Sequence, residues 1–154
     1  DMRRQPFHGV FDIVMNFFTS MGYFESDAEN QLVIDGIAES LKPRGRFYID
    51  YMNREWAESN LQPESGRVEG EFRIEEKRWI DRKRGRINKT TTVMRGETLA
   101  GRFGESVQLY SETRFAEMLG ASGLDVEAMY GDITGAPPSA ERPRMIVVGR
   151  KTGA

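Results

Sequence analysis

Between positions 16 and 23, small polar side chains alternate with aromatic ones. The polar residues are Asn16, Thr19 and Ser20, and the aromatic residues are Phe17, Phe18 and Tyr23. They follow an apolar run at residues 10–15 that only Asp12 interrupts. Such a run predicts a strand buried on both faces, as in a parallel sheet covered by helices. Hydrogen-bonding groups and aromatic walls at the carboxyl end of that strand are typical of a ligand pocket.

Composition narrows the chemistry that this pocket could perform. The chain has 154 residues, 38% hydrophobic and 30% charged, with a formal net charge of −2. These values predict a globular domain without a global attraction to nucleic acid or anionic lipid. The sequence has no cysteine and one histidine, His8, which excludes thiolate chemistry and a histidine-only metal site. No apolar run approaches the roughly 20 residues of a membrane span, and we expect a cytoplasmic protein.

A strand–helix–strand unit should position the polar segment. Ser26 and Glu29 form the pattern of a capping box, which predicts a helix that begins near Asp27. Apolar residues spaced by four form its buried stripe, which consists of Val33, Ile37 and Leu41. Residues 46–52 form the next predicted strand. Strands joined by a helix in this way pair in parallel with a right-handed crossover.

The middle of the chain changes period. Residues 53–66 are polar around Trp56 and suit a short helix or a lid, with an ordinary connector as the alternative. From Arg67, apolar and charged residues alternate, which predicts a half-exposed antiparallel strand. Two further strands, at residues 87–94 and 102–110, complete a predicted meander inserted at residues 67–110. Its basic turn at residues 81–86 is more consistent with a solvated hairpin tip than with a nucleic-acid site.

The last third returns to the mixed pattern. Ser111 is the predicted cap of a helix whose buried stripe contains Phe115, Met118 and Leu119 and which stops at Gly123. Strands are predicted at residues 124–130 and 145–148. The second of these is apolar on both faces, which predicts a central or well-covered position in the sheet. The elements together predict one domain over residues 1–154 that carries an insertion.

Four short segments carry a resemblance to a known family. They are Asp1-Met2-Arg3, Phe11-Asp12-Ile13-Val14, Phe18-Thr19-Ser20-Met21-Gly22-Tyr23 and Leu41-Lys42-Pro43-Arg44-Gly45. In this order they resemble class I S-adenosylmethionine-dependent methyltransferases, most closely the bacterial small-molecule branch. The resemblance implies an α/β fold: the C-terminal part of a Rossmann-like methyltransferase sheet, mixed, with an antiparallel last strand and an inserted antiparallel β-meander. The family's glycine-rich loop is not found in the 154 residues, so we expect an amino-terminally incomplete domain.

The resemblance also implies site residues. Asp1 would accept a hydrogen bond from the adenine amino group of S-adenosylmethionine, with the Met2 backbone beside the ring. Asn16 and Phe17 would flank the methionine part of the cofactor. Thr19, Ser20 and Tyr23 would face the methyl acceptor. Weaker acceptor candidates are Tyr51, Trp56, Tyr110 and Arg142. Turn formation, helix capping and core packing are the competing interpretations of these residues.

The implied function is methyl transfer to a small-molecule acceptor by direct in-line displacement. The sulfonium supplies its own activation, so the protein mainly orients the acceptor and excludes water. A chain without the glycine-rich loop could instead be an inactive fragment or a non-catalytic binding or dimerisation module. We expect a small-molecule partner, no nucleic acid and no membrane, and a homodimer through the insertion or an exposed sheet edge.

Overall fold

The computed structural model describes residues 1–153 as two sheets and three helices. The elements in chain order are β1 (Phe11–Asn16), α1 (Asp27–Ser40), β2 (Leu41–Met52), α2 (Arg54–Asn60), β3 (Glu64–Glu69), β4 (Phe72–Asp81), β5 (Arg86–Arg95), β6 (Thr98–Gln108), α3 (Glu112–Ala121), β7 (Leu124–Tyr130) and β8 (Arg144–Lys151). The main sheet has the order β1-β2-β8-β7, and the inserted sheet has the order β3-β4-β5-β6. No helix within residues 1–153 has the length and apolar character needed to cross a membrane.

Local sequence accounts for the strand–helix–strand unit. The Ser26 hydroxyl accepts a hydrogen bond from the Glu29 backbone N–H, and the Glu29 carboxylate accepts one from Ser26, so the predicted capping box is confirmed. Helix α1 buries its apolar face, including Val33 and Ile37, against β2 and α3. Strand β2 pairs in parallel with β1, as the alternation of elements predicted.

The end of the chain closes the main sheet. Strand β8 runs antiparallel to β2, and β7 runs antiparallel to β8, which confirms the mixed sheet. Strand β8 lies between two neighbours, and Met145, Ile146 and Val147 are almost fully buried. Helix α3 begins after its Ser111 cap and packs on β7. The predicted stripe of Phe115, Met118 and Leu119 lies in the core.

The prediction that residues 10–15 are buried on both faces is wrong. Strand β1 is an edge strand of the main sheet. Val10, Ile13 and Met15 are about half exposed, and only Val14 packs against the core from this strand. Apolar character showed that the segment forms a strand. The strand's burial depends on the elements that flank it, and β1 has a strand neighbour on one side only in the described residues.

The inserted sheet has four strands where the sequence predicted three. The predicted strand from Arg67 is a hairpin, because β3 ends at Glu69 and β4 begins at Phe72. Gly70 makes the turn with a φ of +60°, a left-handed conformation that glycine adopts without a Cβ penalty. The two-residue alternation continues through this short turn, so the period alone did not reveal the break. Strand β6 also begins at Thr98, earlier than the predicted residue 102.

Candidate functional site

The strand directions bring three strand termini to one edge of the main sheet. Parallel strands β1 and β2 end there at Asn16 and Met52, and the antiparallel β8 begins there with Arg144. The inserted sheet and α2 lie over this edge and enclose a cavity of about 440 Å³. We call this space the edge cavity. Its aromatic lining consists of Phe18, Tyr23 and Trp56, and its charged lining consists of Arg78, Lys89, Glu105 and Arg144.

Helix α2 forms one side of the edge cavity. Its cap is Asn53, whose side-chain oxygen accepts hydrogen bonds from the Glu55 and Trp56 backbone N–H groups. The Asn53 amide nitrogen donates to the Ser139 carbonyl at 2.8 Å, which ties the start of α2 to the β7–β8 loop. Trp56 and Asn60 then face the cavity. Residues 53–66 therefore contain a fixed helix at the cavity rather than a plain connector.

The turn after β1 carries two residues in the left-handed region. Phe18 and Thr19 have φ values of 57° and 56°, which costs an L-residue roughly 1–2 kcal/mol each. Asp50 holds both of them: its carboxylate accepts from the Phe18 N–H at 3.1 Å, and its carbonyl accepts from the Thr19 N–H at 2.9 Å. The turn leaves Phe18 84% exposed at the cavity.

A largely buried ion pair supports that turn from below. The guanidinium of Arg144 lies 2.6 Å from the Asp50 carboxylate, and its Nη2 donates to the Thr19 hydroxyl at 3.4 Å. The Asp50 side chain is only 9% exposed. A buried carboxylate is stable when it is paired and hydrogen-bonded, so Asp50 and Arg144 fix the turn that lines the cavity.

The inserted sheet contributes a row of charges. Arg78, Lys89 and Glu105 lie side by side on neighbouring strands in the sheet register, and all three line the edge cavity. Lys89 and Glu105 form an ion pair at 3.0 Å. Tyr23 also lines the cavity and lies close to this row. Its partial burial, followed by the charge of Glu105, raises the pKa of the Tyr23 hydroxyl above its ordinary value, so Tyr23 is a neutral donor at pH 7.

Asn16 ends β1 with an unsatisfied polar atom. Its Oδ1 is buried and has no hydrogen-bond partner among the described residues. Native structures rarely leave such an acceptor unpaired, and a water, an ion or a functional role usually accounts for the exceptions. Phe17 follows it and packs on Tyr48 with a ring-centroid distance of 5.2 Å. The end of β1 therefore carries a buried, unpaired oxygen beside an aromatic surface.

Some predicted acceptor residues reach the edge cavity and others do not. Thr19, Tyr23 and Trp56 line it. Ser20 does not, because its hydroxyl donates to the Phe17 carbonyl at 2.6 Å and closes the turn. Tyr51 is fully buried in the core, stacked on Phe115. Its hydroxyl donates to the Gln108 carbonyl.

Four further predicted residues also lie away from the edge cavity. Tyr110 and Arg142 were acceptor candidates, and Asp1 and Met2 were cofactor candidates. The buried Tyr110 hydroxyl donates to Asp27 at 2.8 Å. Arg142 pairs with Asp132 at 2.6 Å within the β7–β8 loop. The Asp1 carboxylate is bound by Arg3 at 2.6 Å. Met2 is partly buried against the core.

Sequence reasoning missed the charged residues of the edge cavity. Arg144 lies two positions after the predicted Arg142, and its place at the start of β8 was the available signal. Asp50 was a lone acidic residue inside an apolar predicted strand, which also deserved notice. Arg78, Lys89 and Glu105 looked like ordinary solvated residues of a charged sheet. Only the strand register, which the sequence does not specify, brings them together.

Comparison with known proteins identifies the fold. No protein-family model and no curated protein matches the sequence. The CcbJ methyltransferase from Streptomyces caelestis aligns with 99% of the chain at a TM-score of 0.82 and 14% identity. A S-adenosylmethionine-dependent methyltransferase from Clostridium acetobutylicum aligns with 99% at 0.80 and 14%. CalS10, a S-adenosylmethionine-bound amino pentose methyltransferase from Micromonospora echinaspora, aligns with 99% at 0.66 and 17%.

The similarity is one of structure rather than of sequence. At 14–17% identity it concerns the course of the backbone and both sheets. The chain spans 62–63% of the length of these three solved proteins. The main sheet, its antiparallel closing strands and the inserted sheet all fall within the aligned part, since nearly the whole chain aligns. The described chain therefore has the fold of class I S-adenosylmethionine-dependent methyltransferases, over slightly less than two thirds of the length of these three proteins.

Proposed function

We propose that this chain forms the acceptor-binding part of a S-adenosylmethionine-dependent methyltransferase that acts on a small molecule. The observation that carries the proposal is the edge cavity, which lies at the carboxyl ends of β1 and β2 beneath the inserted sheet. Ligands of open α/β sheets bind at this edge. A volume of about 440 Å³ also falls in the range of small-molecule sites, roughly 300–1,000 Å³.

The end of β1 fits the methionine part of the cofactor. That part carries an ammonium group, and an ammonium needs hydrogen-bond acceptors. The buried, unpaired Oδ1 of Asn16 is such an acceptor. Phe17 provides an apolar surface beside it. The Asp1 carboxylate accepts four hydrogen bonds from Arg3, which fill its roughly four lone-pair sites, so an adenine amino group would have to replace part of them.

The residues of the edge cavity would hold the acceptor and exclude water. When bound, the cofactor supplies a methyl group already activated by a sulfonium, so no nucleophile triad is needed. Phe18, Tyr23 and Trp56 would enclose an apolar part of the acceptor. Thr19 and the neutral Tyr23 hydroxyl would hydrogen-bond its polar groups. The Asp50–Arg144 pair keeps the Phe18–Thr19 turn in place before the methyl acceptor binds, so acceptor binding does not have to order the turn.

A transfer assay tests this function. These residues, joined to a glycine-rich cofactor segment, are incubated with methyl-labelled S-adenosylmethionine and a panel of amino sugars, amino acids and phenols. Amino sugars come first because CalS10 is an amino pentose methyltransferase. We expect label in at least one acceptor, and less label with Asn16→Ala and Tyr23→Ala. Arg150→Lys, on an exposed pair at the far end of β8, is the matched control. A joined protein that binds the cofactor yet labels none of the panel contradicts the proposal.

One observation favours a second function, a dimerisation module. Strand β1 is an edge strand whose Ile13 and Met15 are about half exposed, as is Val10 just before it. An apolar strand edge is a template for pairing with a second copy. Sedimentation over a range of concentrations distinguishes the alternatives. The dimerisation module is supported if the protein is a dimer, Ile13→Lys dissociates it, and the joined protein transfers no methyl group. A monomer excludes pairing at this edge.

A further inference from the structure

The buried guanidinium of Arg86 joins the inserted sheet to the loop after β1. Arg86 begins β5 and is 3% exposed. Its five N–H groups make six hydrogen bonds, so one N–H of Nη2 is shared between two acceptors. Half of them go to consecutive carbonyl oxygens, those of Gly22, Tyr23 and Phe24, at 3.4, 3.3 and 2.9 Å. The loop backbone therefore curls around one guanidinium.

The other acceptors of Arg86 belong to the inserted sheet. Ser106 accepts through its hydroxyl and its carbonyl, both at 2.8 Å, and the Gln108 side-chain oxygen accepts at 3.3 Å. None of the six acceptors is a carboxylate. Arginine stays charged when buried, and a buried charge is tolerated only when its donors are satisfied. The arrangement thus holds the loop and the sheet in one fixed relation.

Tyr23 lies in the middle of the bound loop segment. While its carbonyl accepts from Arg86, its side chain lines the edge cavity near Lys89 and Glu105. The neighbouring Gly22 carbonyl also accepts from the Gln108 backbone N–H at 2.8 Å. The position of the Tyr23 ring is therefore set by the backbone that Arg86 binds, and Arg86 itself is not among the residues that line the cavity.

We propose that Arg86 is a positioning residue that fixes the backbone of residues 22–24 and thereby holds the Tyr23 ring in the wall of the acceptor cavity. That this cavity receives the acceptor rests on the proposed function; the positioning of Tyr23 does not. Lysine cannot replace arginine here, because an ammonium has three donors on one atom whereas the guanidinium has a planar fork of five. Arg86→Lys keeps the charge and must abandon part of the loop.

Fluorine NMR tests the positioning directly. The chain carries 3-fluorotyrosine at position 23, and its resonance is followed over a pH titration in the unmodified background and in Arg86→Lys. We expect a shifted, broader resonance and a lower pKa in Arg86→Lys, because the released ring leaves its buried place beside Glu105. Arg150→Lys, a matched change on an exposed pair, should leave both unchanged. An unaltered resonance and pKa in folded Arg86→Lys would overturn the proposal, whether or not the protein transfers methyl groups.

A milder variant and a kinetic cycle complete the test. If Arg86→Lys does not fold, Ser106→Ala removes only the hydrogen-bond acceptor of Nε and should produce a smaller change in the same direction; no change would count against the proposal.

With the best methyl acceptor of the panel, Arg86→Lys should lower kcat/KM at least about tenfold, because a misplacement of about 1 Å can cost about 100-fold in rate. This loss should disappear in a Tyr23→Ala background. An equal loss there would show that Arg86 does not act through Tyr23.

Discussion

The side chains around the end of β1 have two different environments. Asn16 has a buried oxygen without a hydrogen-bond partner among residues 1–153, whereas Val14, two residues earlier, packs against the core. A residue of the first kind adds little to the folded state. A residue of the second kind contributes through burial. The two positions on one strand therefore offer a matched comparison between binding and stability.

We predict opposite effects for Asn16→Ala and Val14→Ala. Asn16→Ala should reduce methyl transfer in the joined protein while the melting temperature stays unchanged, because it removes an acceptor that stabilises nothing in the free protein. Val14→Ala should lower the free energy of unfolding by about 1–3 kcal/mol and leave the specific activity of folded molecules intact. Thermal melts and initial rates check both. An early melt with full activity in Asn16→Ala would make this residue a packing residue.

Tyr23 and Tyr51 allow the same chemical change in two environments. Tyr51→Phe should cost about 1–3 kcal/mol of stability, since it removes the donor to the Gln108 carbonyl inside the core. Tyr23→Phe should leave stability almost unchanged and weaken acceptor use, since its hydroxyl faces the edge cavity. Denaturant unfolding and acceptor KM measure the two effects. If Tyr51→Phe raised KM and Tyr23→Phe did not, the assignment of the cavity wall would be wrong.

At the scale of elements, the loop after β1 depends on a glycine. Gly22 has a φ of +94°, and an added Cβ would lie 2.6 Å from the Tyr51 hydroxyl. We predict that Gly22→Ala lowers the free energy of unfolding clearly more than Gly9→Ala. Gly9 has a similar left-handed φ of +63° but no atom within 4 Å of the added Cβ, so it isolates the backbone strain of roughly 1–2 kcal/mol. Equal losses in urea unfolding would mean that the loop can move away from Tyr51.

The elements that the sequence predicted well are those that local interactions determine. Helices α1 and α3 begin at their predicted caps because the capping hydrogen bonds join residues three apart. Burial of β1 was predicted wrongly because it depends on distant elements. The edge cavity was predicted in part: Thr19, Tyr23 and Trp56 lie there. Tyr51 and Tyr110 were misassigned because an aromatic residue near a strand end looks the same in a core and in a pocket.

At the scale of the molecule, the described chain holds one side of a fold that is longer in its neighbours. The edge cavity lies between the main and inserted sheets. The Oδ1 atom of Asn16, which has no hydrogen-bond partner among the described residues, lies at the end of the edge strand β1. The residues that we propose for the methyl acceptor and those that we propose for the cofactor therefore lie on separable parts of the surface. Described residues from several elements line the edge cavity. The chain spans 62–63% of the length of two of these neighbours.

We predict that the 154 residues alone bind S-adenosylmethionine weakly or not at all. The family's glycine-rich loop, whose backbone lets the cofactor approach the sheet, is not found in the sequence. Titration calorimetry on the isolated chain should show no saturation in the micromolar range, and joining a glycine-rich segment should produce it. Micromolar binding by the isolated chain would mean that Asp1, Asn16 and Phe17 suffice without that loop.

The bonds of Arg86 determine what could be exchanged between proteins of this fold. Sequence position makes residues 64–108 look like a transplantable cassette, because they form one sheet with four consecutive strands. The Arg86 guanidinium at the start of β5 nevertheless donates hydrogen bonds to the carbonyl oxygens of residues 22–24, which come from a different part of the chain. A graft that carries the cassette without its distant loop would replace three matched acceptors with an arbitrary backbone. A change of methyl-acceptor preference in such proteins should therefore require paired changes in the loop at residues 22–24 and in the inserted sheet. A recombination point inside residues 25–63 would separate the loop from the arginine that binds it.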